Sequence, residues 1–327
     1  MDLISLRYFV RTAKMRSISR AAAELGVVQP ALTRRIQLLE EQLGVPLLMR
    51  HRRGVEPTEA GLLVVERAEL ILRLTQQLET EARSKGLEPA GPVAFGFPPS
   101  IGILMVGKLL SLCGARYPRI KLHLQEDYTS EVQNSLLSGH LDLGITSCEA
   151  QHPDLILEPL FKESMWLIGR NKDWQFSEKH VEPAQLDRLP LLMGSFMRTL
   201  LEKQAGRFGY KLTVVAEANS LSLAREALRA GAGYFVAPLS AVDADLRSKT
   251  FAGAPINGLE VTRGLFYHRD RPLTRAGQTF ASMIRTEVND LCEQHPHSFR
   301  KLEANGKGVR SSSTSANDDR IRIRGSA

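Results

Sequence analysis

The segment from Ser17 to Leu43, SISRAAAELGVVQPALTRRIQLLEEQL, constrains the fold of this chain more than any other. Ser17 or Ser19 can cap a first helix of small, helix-forming residues, and Gly26 suits its C-terminal end because glycine adopts positive φ without steric cost. Pro30 fits the first turn of a second helix, where its missing N–H is not needed. The segment therefore predicts two short helices joined by a tight turn, as in a helix-turn-helix.

The second of these helices has an apolar stripe and a polar face. The stripe, which must face a core, consists of Leu32, Ile36, Leu39 and Leu43. The other side carries the candidate DNA-contacting residues Gln29, Pro30, Ala31, Thr33, Arg34 and Gln37. Thr33 and Arg34 are the best candidates for reading bases, because an arginine contacts guanine through two hydrogen bonds. A plain amphipathic helix pair with a solvated face shows the same pattern, so the helices alone leave both interpretations open.

A basic cluster follows where a β-hairpin wing is expected. Arg50, Arg52 and Arg53 lie in the stretch LLMRHRRGVE, just before a glycine. Arginines on such a wing enter the minor groove or hold phosphates, which favours the DNA-binding interpretation. Thr58 is then the expected N-cap of a long helical segment.

The first sixty or so residues resemble the LysR-type transcriptional regulators. The matching residues are Leu6-Arg7-Tyr8-Phe9, Ser19-Arg20-Ala21-Ala22, Leu25, Gln29-Pro30-Ala31-Leu32-Thr33, Leu38-Leu39-Glu40, Leu43-Gly44, Leu47-Leu48 with Arg50, and Pro57-Thr58-Glu59-Ala60-Gly61. One position departs from the family pattern: a serine usually precedes the Gln-Pro pair, and this chain has Val28 there. The opening residues and the run from Gly91 to Phe97 are similar to the branch of nitrogen-assimilation and aromatic-catabolism regulators.

The resemblance extends more loosely to about residue 295, and it implies an α/β architecture in several parts. These are a winged helix-turn-helix at 1–58, a linker helix for dimerisation at 59–88, a two-lobed, periplasmic-binding-protein-like effector domain at 89–295, and a disordered basic tail at 296–327. Lobe I is expected at about 91–161 and 268–295, and lobe II at about 162–267. The implied partners are double-stranded DNA, a small-molecule effector, RNA polymerase and further copies of the chain, in a dimer or tetramer.

The charge distribution agrees with that division. The 327 residues carry a formal net charge of +7. Residues 1–61 contain ten basic and six acidic residues, and residues 297–327 contain seven and three, so each end has a net charge of +4. The region between them is close to neutral, as expected for a part that does not bind a polyanion. A basic tail either adds weak non-specific DNA affinity or is inert.

The linker segment has an apolar seam at roughly heptad spacing. Its members are Leu63, Val64, Ala68, Ile71, Leu72, Thr75 and Leu78. A helix with such a seam needs a partner surface. The resemblance implies a second subunit there, and packing against the chain's own DNA-binding domain is the alternative.

Beyond the linker, the pattern alternates between strand and helix, which favours βαβ units and a mainly parallel sheet. The expected strands are Val93–Phe97, Ile120–Gln125, Leu141–Thr146, Met165–Gly169, Leu189–Met193, Leu212–Glu217, Tyr234–Val236 and Leu265–Tyr267. The expected helices are Gly102–Tyr117, Ser130–Leu137, Met197–Phe208, Leu221–Ala230 and Thr274–Glu293. One sheet can hold all of these strands, whereas the resemblance implies two lobes with a cleft between them.

Strand ends predict the effector site, because ligands of open α/β sheets bind at the carboxyl ends of strands. The candidates are Ser100, Ile101, Thr146, Ser147, Ser195, Phe196, Arg198, Asn219 and Pro238. Ser100 either donates to a ligand carboxylate or caps its own helix. Arg198 either pairs with an anion or forms a surface ion pair with Glu202 at i+4. A small organic anion is the expected effector.

The sequence shows no motif typical of an enzyme, a metal site or a cofactor site. The eight histidines show no metal-ligand spacing, and no GxSxG or GxGxxG motif occurs. The run Gly102–Lys108 looks like a phosphate-binding loop, but Leu109 replaces the required serine or threonine. We therefore expect a regulator rather than an enzyme, with no metal and no cofactor. A DNA-binding protein without a ligand remains the alternative.

The cysteines and the apolar runs bear on location. Cys113, Cys148 and Cys292 form no CxxC pair, which favours a reducing cytoplasm. Cys148 follows an expected strand end and is either a redox-sensing thiol, as known within the resembled family, or a plain small residue. The charge-free run from Gly91 to Gly107 is interrupted by prolines, so no membrane span is expected, and neither is a signal peptide.

Overall fold

The structure, a computed structural model, describes residues 1–52, 54–83, 88–149, 152–177, 179–208, 211–296 and 298–302. The N-terminal elements are helices α1 (Leu3–Met15), α2 (Ile18–Leu25) and α3 (Gln29–Leu43), strands β1 (Leu48–His51) and β2 (Gly54–Pro57), and helix α4 (Glu59–Arg83). Strands β1 and β2 form an antiparallel hairpin directly after α3. This is the predicted helix-turn-helix followed by a wing.

The helix ends follow the residues that predict them. The Ser17 side chain accepts a hydrogen bond from the Arg20 N–H and caps α2, and Gly26 ends the helix with φ 67°. Ser19 has another role, because its hydroxyl donates to Oε1 of Gln29 at 3.0 Å. Val28 is the N-cap of α3 and provides no side-chain hydrogen bond, so the start of this helix is uncapped.

The core of the N-terminal domain is shared by α1, α2, α3, the wing and α4. Its buried apolar residues are Leu6, Phe9, Val10, Ala13, Ala21, Ala22, Leu32, Ile36, Leu39, Leu47, Leu48, Val55 and Ala68. Three of the four stripe residues of α3 belong to it. Leu43 does not: it lies in the last turn, just before the C-cap Gly44, and remains 39% exposed.

Close backbone contacts fix the wing against the helices. The Glu40 carboxylate accepts from the N–H groups of Leu47 and Leu48, at 2.7 and 3.0 Å, at the start of the hairpin. At its tip, Gly54 has φ 139°, and a Cβ there would lie 2.4 Å from the carbonyl oxygen of Arg16. The wing therefore has one orientation relative to α2 and α3.

The remaining described elements form an α/β domain with one nine-stranded sheet. Its strands are β3 (Gly91–Phe97), β4 (Ile120–Glu126), β5 (Leu143–Ser147), β6 (Leu155–Gly169), β7 (Pro190–Met193), β8 (Thr213–Glu217), β9 (Tyr234–Pro238), β10 (Ala252–His268) and β11 (Phe299–Lys301). The strand order is β4-β3-β5-β10-β6-β9-β7-β8, and β11 pairs with β6. The helices are α5 (Pro99–Ile101), α6 (Gly107–Arg116), α7 (Thr129–Leu137), α8 (Ser195–Phe208), α9 (Leu221–Ala230), α10 (Leu239–Arg247) and α11 (Arg275–Gln294).

Two long strands make this sheet serve two lobes. β6 and β10 run antiparallel through the whole domain, and each contributes one half to either lobe. Lobe I adds β3, β4 and β5, with a core around Phe95, Phe161 and Phe280. Lobe II adds β7, β8 and β9, with separate cores around Leu191 and Leu228. The one-sheet and two-lobe expectations are therefore both met. The expected mainly parallel sheet is instead mixed, because β6 and β10 pair antiparallel with each other and with β9 and β5.

Some elements differ from the expectations. The first lobe I helix begins with a π-helical turn, Gly102–Val106, between α5 and α6. The start of the tail expected to be disordered from residue 296 is corrected: Phe299–Lys301 forms β11 because the Phe299 ring is buried against Phe161 in the lobe I core. Arg53 and tail residues 303–327 lie outside the described residues.

Within the described part of the chain, one helical stretch, Pro99–Arg116, is long and apolar enough to cross a membrane by length and composition alone. The core helix of a folded domain meets the same criterion. Ile101, Met105 and Leu109 of this stretch are buried in the lobe I core, so it is such a core helix.

Candidate nucleic-acid interface and interlobe cleft

The polar face of α3 is open to solvent. Gln29, Pro30, Ala31, Arg34 and Gln37 are exposed and Thr33 is partly exposed. Val28, directly before them, is 70% exposed, so the departure from the family pattern lies on the same surface. The structure thus presents all six predicted helix residues on the accessible side of α3.

Arg34 differs from its basic neighbours because it is unpaired. Arg35 forms an ion pair with Asp2 at 3.0 Å, Arg11 pairs with Glu24, and Arg16 pairs with Glu56. Arg34 is exposed, and its side chain makes no hydrogen bond or ion pair with any residue that the structure describes. Its guanidinium is therefore available to a ligand that supplies acceptors, as a base edge or a phosphate does.

The wing adds two more available cations. Arg50, on β1, and Arg52, in the turn, are exposed and have no ion pair to a described residue. They follow α3 directly, so the face of α3 and the wing provide a positively charged surface of the kind that holds a phosphate backbone. The third predicted wing residue, Arg53, lies outside the described part of the chain.

Helix α4 has two apolar faces, and only one is covered. Ala68 is buried in the N-terminal core, with Val64 and Leu72 packed partly against it. A second stripe, spaced at helical intervals on another side, remains exposed: Leu63, Ile71, Leu74 and Leu78, with exposed fractions between 37% and 67%. The predicted seam was thus a mixture of an inner face that packs on the chain's own domain and an outer face that does not.

Helix α4 also connects the two halves of the chain. The Glu69 carboxylate pairs with Lys14 of α1 and lies 3.5 Å from Nε2 of His140 in lobe I. Arg73 donates to the carbonyl oxygen of His140 at 2.7 Å. Burial lowers the pKa of Arg73, although the Asp142 and Glu69 carboxylates oppose that shift. These contacts tie α1, the linker and lobe I to one another.

A cavity of about 90 Å³ lies between the lobes. Most of its lining is apolar. The residues are Pro98, Pro99, Ser100, Tyr128, Thr129, Gly194, Phe196, Met197, Ala218, Asn219, Leu221, Phe235, Val236, Ala237, Pro238, Ala241, Val261 and Arg263. An apolar lining with a few polar groups, in a recess between two lobes, is the composition typical of a small-molecule site.

A buried ion pair lies at the base of this cavity. Arg263 Nε donates to Oε1 of Glu163 at 2.7 Å, and the two side chains are only 6% and 0% exposed. Arg263 Nη2 also donates to the Ser100 hydroxyl at 3.2 Å, and the other carboxylate oxygen of Glu163 accepts from the Ser240 N–H at 3.2 Å. The pair therefore connects a lobe I residue to a lobe II residue through the two long strands.

Four of the nine predicted effector residues line the cavity, namely Ser100, Phe196, Asn219 and Pro238. Ser195 lies beside them and bonds to Asn219 through its N–H at 3.0 Å. Of the two alternatives for Arg198, the structure shows the ion pair with Glu202, at 2.8 Å, together with a second pair to Glu217.

The other three predicted residues are not among those that line the cavity. Ile101 is fully buried in the lobe I core. Thr146 and Ser147 are also fully buried, because β10 pairs along β5 to its end and places Gly264 opposite Thr146. The expectation that this strand end opens into the cleft is corrected for that reason.

The sequence reasoning missed Arg263, Tyr128 and Thr129. A signal for Arg263 exists, because it is a charged residue within an apolar strand and directly precedes a glycine. Its proximity to the cavity depends on β10 crossing between the lobes, which local sequence does not reveal.

The three cysteines have raised pKa values. Burial, aided by the Glu149 charge and opposed by Arg263, raises the pKa of the Cys148 thiol to about 12. Burial also raises the pKa values of Cys113 and Cys292, which lie in the lobe I core. All three are free thiols.

Comparison with known proteins gives two family matches. The family described as "Bacterial regulatory helix-turn-helix protein, lysR family" matches residues 3–62, and the one described as "LysR substrate binding domain" matches residues 86–289.

Relatives of known name match over most of their length. The HTH-type transcriptional regulator BbuR of Bordetella bronchiseptica is 31% identical over 299 residues, covering 90% of this chain and 92% of that protein. The DNA-binding transcriptional dual regulator OxyR of Escherichia coli is 30% identical over 295 residues, covering 88% and 96%.

Solved structures share the fold. Full-length CbnR in complex with its target DNA matches with a TM-score of 0.69 at 23% identity, covering 88% of this chain and 100% of that one. A full-length OxyR variant from Pseudomonas aeruginosa matches with a TM-score of 0.67 at 23% identity, covering 88% and 95%. The predicted fold class, a winged helix-turn-helix followed by a linker helix and a two-lobed α/β domain, is confirmed.

Proposed function

The chain belongs to the LysR family of DNA-binding transcriptional regulators, and from this premise we propose that it reads DNA sequence as a dimer. We further propose that a small molecule bound in the interlobe cleft modulates the action of this dimer. The family consists of regulators, so the prediction that the chain is not an enzyme is confirmed. The observation that carries the proposal is the exposed, unpaired Arg34 on the polar face of α3, beside a basic wing.

The proposed DNA contacts divide by chemistry. Thr33 and Arg34 read base edges, and Gln29, which Ser19 orients, enters the groove beside them with Pro30. The remaining proposed contacts, with the backbone or the flanking groove, are Ala31, Gln37, Arg50, Arg52 and Arg53. At the start of α3, Pro30 has no N–H and the Ala31 N–H donates to the Val28 carbonyl oxygen at 3.1 Å, so the Gln29 N–H is the first-turn donor that we propose for a phosphate.

The proposed dimer forms through the outer face of α4, the exposed stripe of Leu63, Ile71, Leu74 and Leu78. An apolar stripe of this length on a 25-residue helix needs a partner helix, and a second copy supplies an identical one. Two paired linkers present two recognition helices to a partly palindromic site. Assembly to a tetramer and contact with RNA polymerase are proposed from family membership, as are a cytoplasmic location and the domain limits 1–58, 59–88 and 89–295.

The proposed effector is a small organic anion bound in the cavity. The apolar lining suits its body, and Arg263 with Ser100 supplies donors at the base. Binding changes the protein's behaviour on DNA only if one lobe arrangement binds the effector better than another. The contacts of Glu69 and Arg73 with His140 provide a physical connection from lobe I to the linker.

Redox sensing through Cys148 is the second candidate, since several relatives are named hydrogen peroxide-inducible genes activators. The raised pKa of Cys148 argues against it, because the thiolate is the species that reacts. A ligand-independent DNA-binding protein is disfavoured by the apolar cavity between the lobes, which has Arg263 in its lining.

Two measurements test the proposal. Selection of bound sequences from a random DNA pool should yield a site with two related half-sites about one helical turn apart. Recovery of a single half-site, or of no preference, would contradict dimeric reading. Ultracentrifugation of a Leu78→Glu variant should show a smaller assembly, while Leu62→Glu, an exposed leucine outside the stripe, serves as the control. The promoter beside a neighbouring, oppositely oriented gene is the first natural DNA to test.

A further inference from the structure

We propose that Arg263 and Ser100 together receive the single carboxylate of the cleft ligand, and that Glu163 holds Arg263 in place and limits the ligand to one negative charge. The inference rests on the proposed effector function and specifies the ligand class, an apolar monocarboxylate. It replaces Arg198, the cation that the sequence singles out, with a residue of the crossover strand β10.

Arg263 is the one charged residue among those described that line the cavity. It lies at the base, where it is 5% exposed, so water screens its charge poorly. Arg198, by contrast, is an exposed side chain whose guanidinium already pairs with Glu202 and Glu217. A ligand anion inside the cavity therefore meets Arg263.

At the base of the cavity, the existing hydrogen bonds leave hydrogen-bond donors, rather than acceptors, available to a ligand. The Ser100 oxygen accepts from Arg263 Nη2, so the serine O–H is free to donate. The Asn219 amide is engaged on both sides by Ser195, at 3.0 and 3.1 Å. An N–H of Arg263 and the O–H of Ser100 thus favour a ligand group that only accepts, as a carboxylate does.

Glu163 determines how much negative charge the base tolerates. Its carboxylate, bonded to Arg263 and to the Ser240 N–H, makes the buried pair neutral overall. One ligand carboxylate brings the net charge to −1, and a second would add repulsion in a poorly solvated place. The rest of the lining, including Phe196, Met197 and Phe235, requires an apolar ligand body.

The same bonds couple binding to lobe arrangement. Ser100 belongs to lobe I, Ser240 lies in the first turn of α10 in lobe II, and the ion pair joins them through β6 and β10. A carboxylate that shares donors with Arg263 redistributes these bonds, so its affinity differs between lobe arrangements.

The test uses the full chain and matched probes of nearly equal shape, phenylacetate with phenylacetamide and hexanoate with hexanamide, with binding measured by calorimetry. The wild type should prefer the carboxylate of at least one pair. Glu163→Gln should raise carboxylate affinity by roughly tenfold or more, since it removes a nearby negative charge, and leave amide affinity unchanged. Ser100→Ala, which keeps the ion pair, should lower carboxylate affinity.

Controls separate charge recognition from folding. The double variant Arg263→Met with Glu163→Met replaces both charges by apolar side chains and should lose the preference while remaining folded. Arg198→Ala should keep it. Equal affinity for acid and amide, a preference retained in the double variant, or binding of no probe in either class would overturn the proposal. Amide-only binding that still altered DNA affinity would overturn it while leaving the effector function standing.

Discussion

Arg34 and Arg263 show how differently the two ends of this molecule present a cation. Arg34 projects from α3 into solvent without a partner, and its loss removes nothing from the core. Arg263 is buried between the lobes, bonded to Glu163 and Ser100, and its loss leaves a buried carboxylate unpaired. Arg34, the proposed DNA contact, can therefore be changed without harm to the fold, whereas Arg263 is part of the fold.

The largest expected effect follows from that difference. Arg263→Ala should destabilise the effector domain by about 3–5 kcal/mol, because an uncompensated buried charge remains. Both tryptophans, Trp166 and Trp174, lie in this domain, so urea unfolding followed by their fluorescence reports on it alone. The double replacement of Arg263 and Glu163 by methionine should be close to neutral.

Arg198→Ala is the matched control, because its ion pairs are exposed and their loss should have little effect on the free energy of unfolding. An effect of Arg263→Ala as small as that of Arg198→Ala would remove the distinction between a cation built into the fold and a surface cation.

The second prediction concerns the N-terminal domain, where backbone geometry rather than a buried charge determines which substitution is destabilising. Gly54→Ala should cost about 3 kcal/mol, since φ is 139° and the new Cβ would meet the Arg16 carbonyl oxygen at 2.4 Å. Gly26→Ala, with φ 67° and open space around the Cβ, should cost only about 1 kcal/mol. Hydrogen exchange of amides in residues 1–58 measures both. If Gly54→Ala and Gly26→Ala destabilise the domain equally, the wing can shift away from α2 to make room for the new Cβ.

The third prediction tests whether Arg34 reads sequence. Arg34→Ala should reduce discrimination between the selected DNA site and single-base variants by about 2 kcal/mol at one position. Arg35→Ala, which breaks only the exposed pair with Asp2, should change affinity for all sequences alike and by less than about 1 kcal/mol. Gel shifts at one fixed salt concentration make the comparison. If the two variants lose discrimination equally, Arg34 contributes charge and not base recognition.

The sequence predicts the N-terminal domain better than the cleft, because the elements of that domain depend on residues that are close together along the chain. Ser17, Gly26 and the Leu32–Leu39 stripe act within a few residues of their partners along the chain. Their spacing in the sequence is therefore enough to predict the local structure. The position of Leu43 and the role of Ser19 escape that reasoning, since both depend on tertiary placement.

The cleft is assembled from segments far apart along the chain. Arg263 contacts Glu163 and Ser100, which are 100 and 163 residues away, and no local pattern records that proximity. Strand ends identify Ser100, Asn219 and Pro238 correctly as lining residues, but they fail for Thr146 because the return strand β10 covers that end. The ordered β11 was missed for the same reason, since Phe299 is anchored by Phe161 from another part of the chain.

The smallest expected effect belongs to Cys148, the one reactive side chain beside the ion pair. The pKa of the Cys148 thiol, raised to about 12, lies four units above pH 8. At that pH roughly one molecule in ten thousand therefore carries the thiolate. Iodoacetamide should therefore modify Cys148 slowly, about tenfold faster for each unit of rising pH. Cys148→Ala should leave DNA binding unchanged with or without peroxide. A peroxide response that disappears in Cys148→Ala would instead show that the cleft region senses oxidants, and the neutral, buried environment around Arg263 would need another explanation.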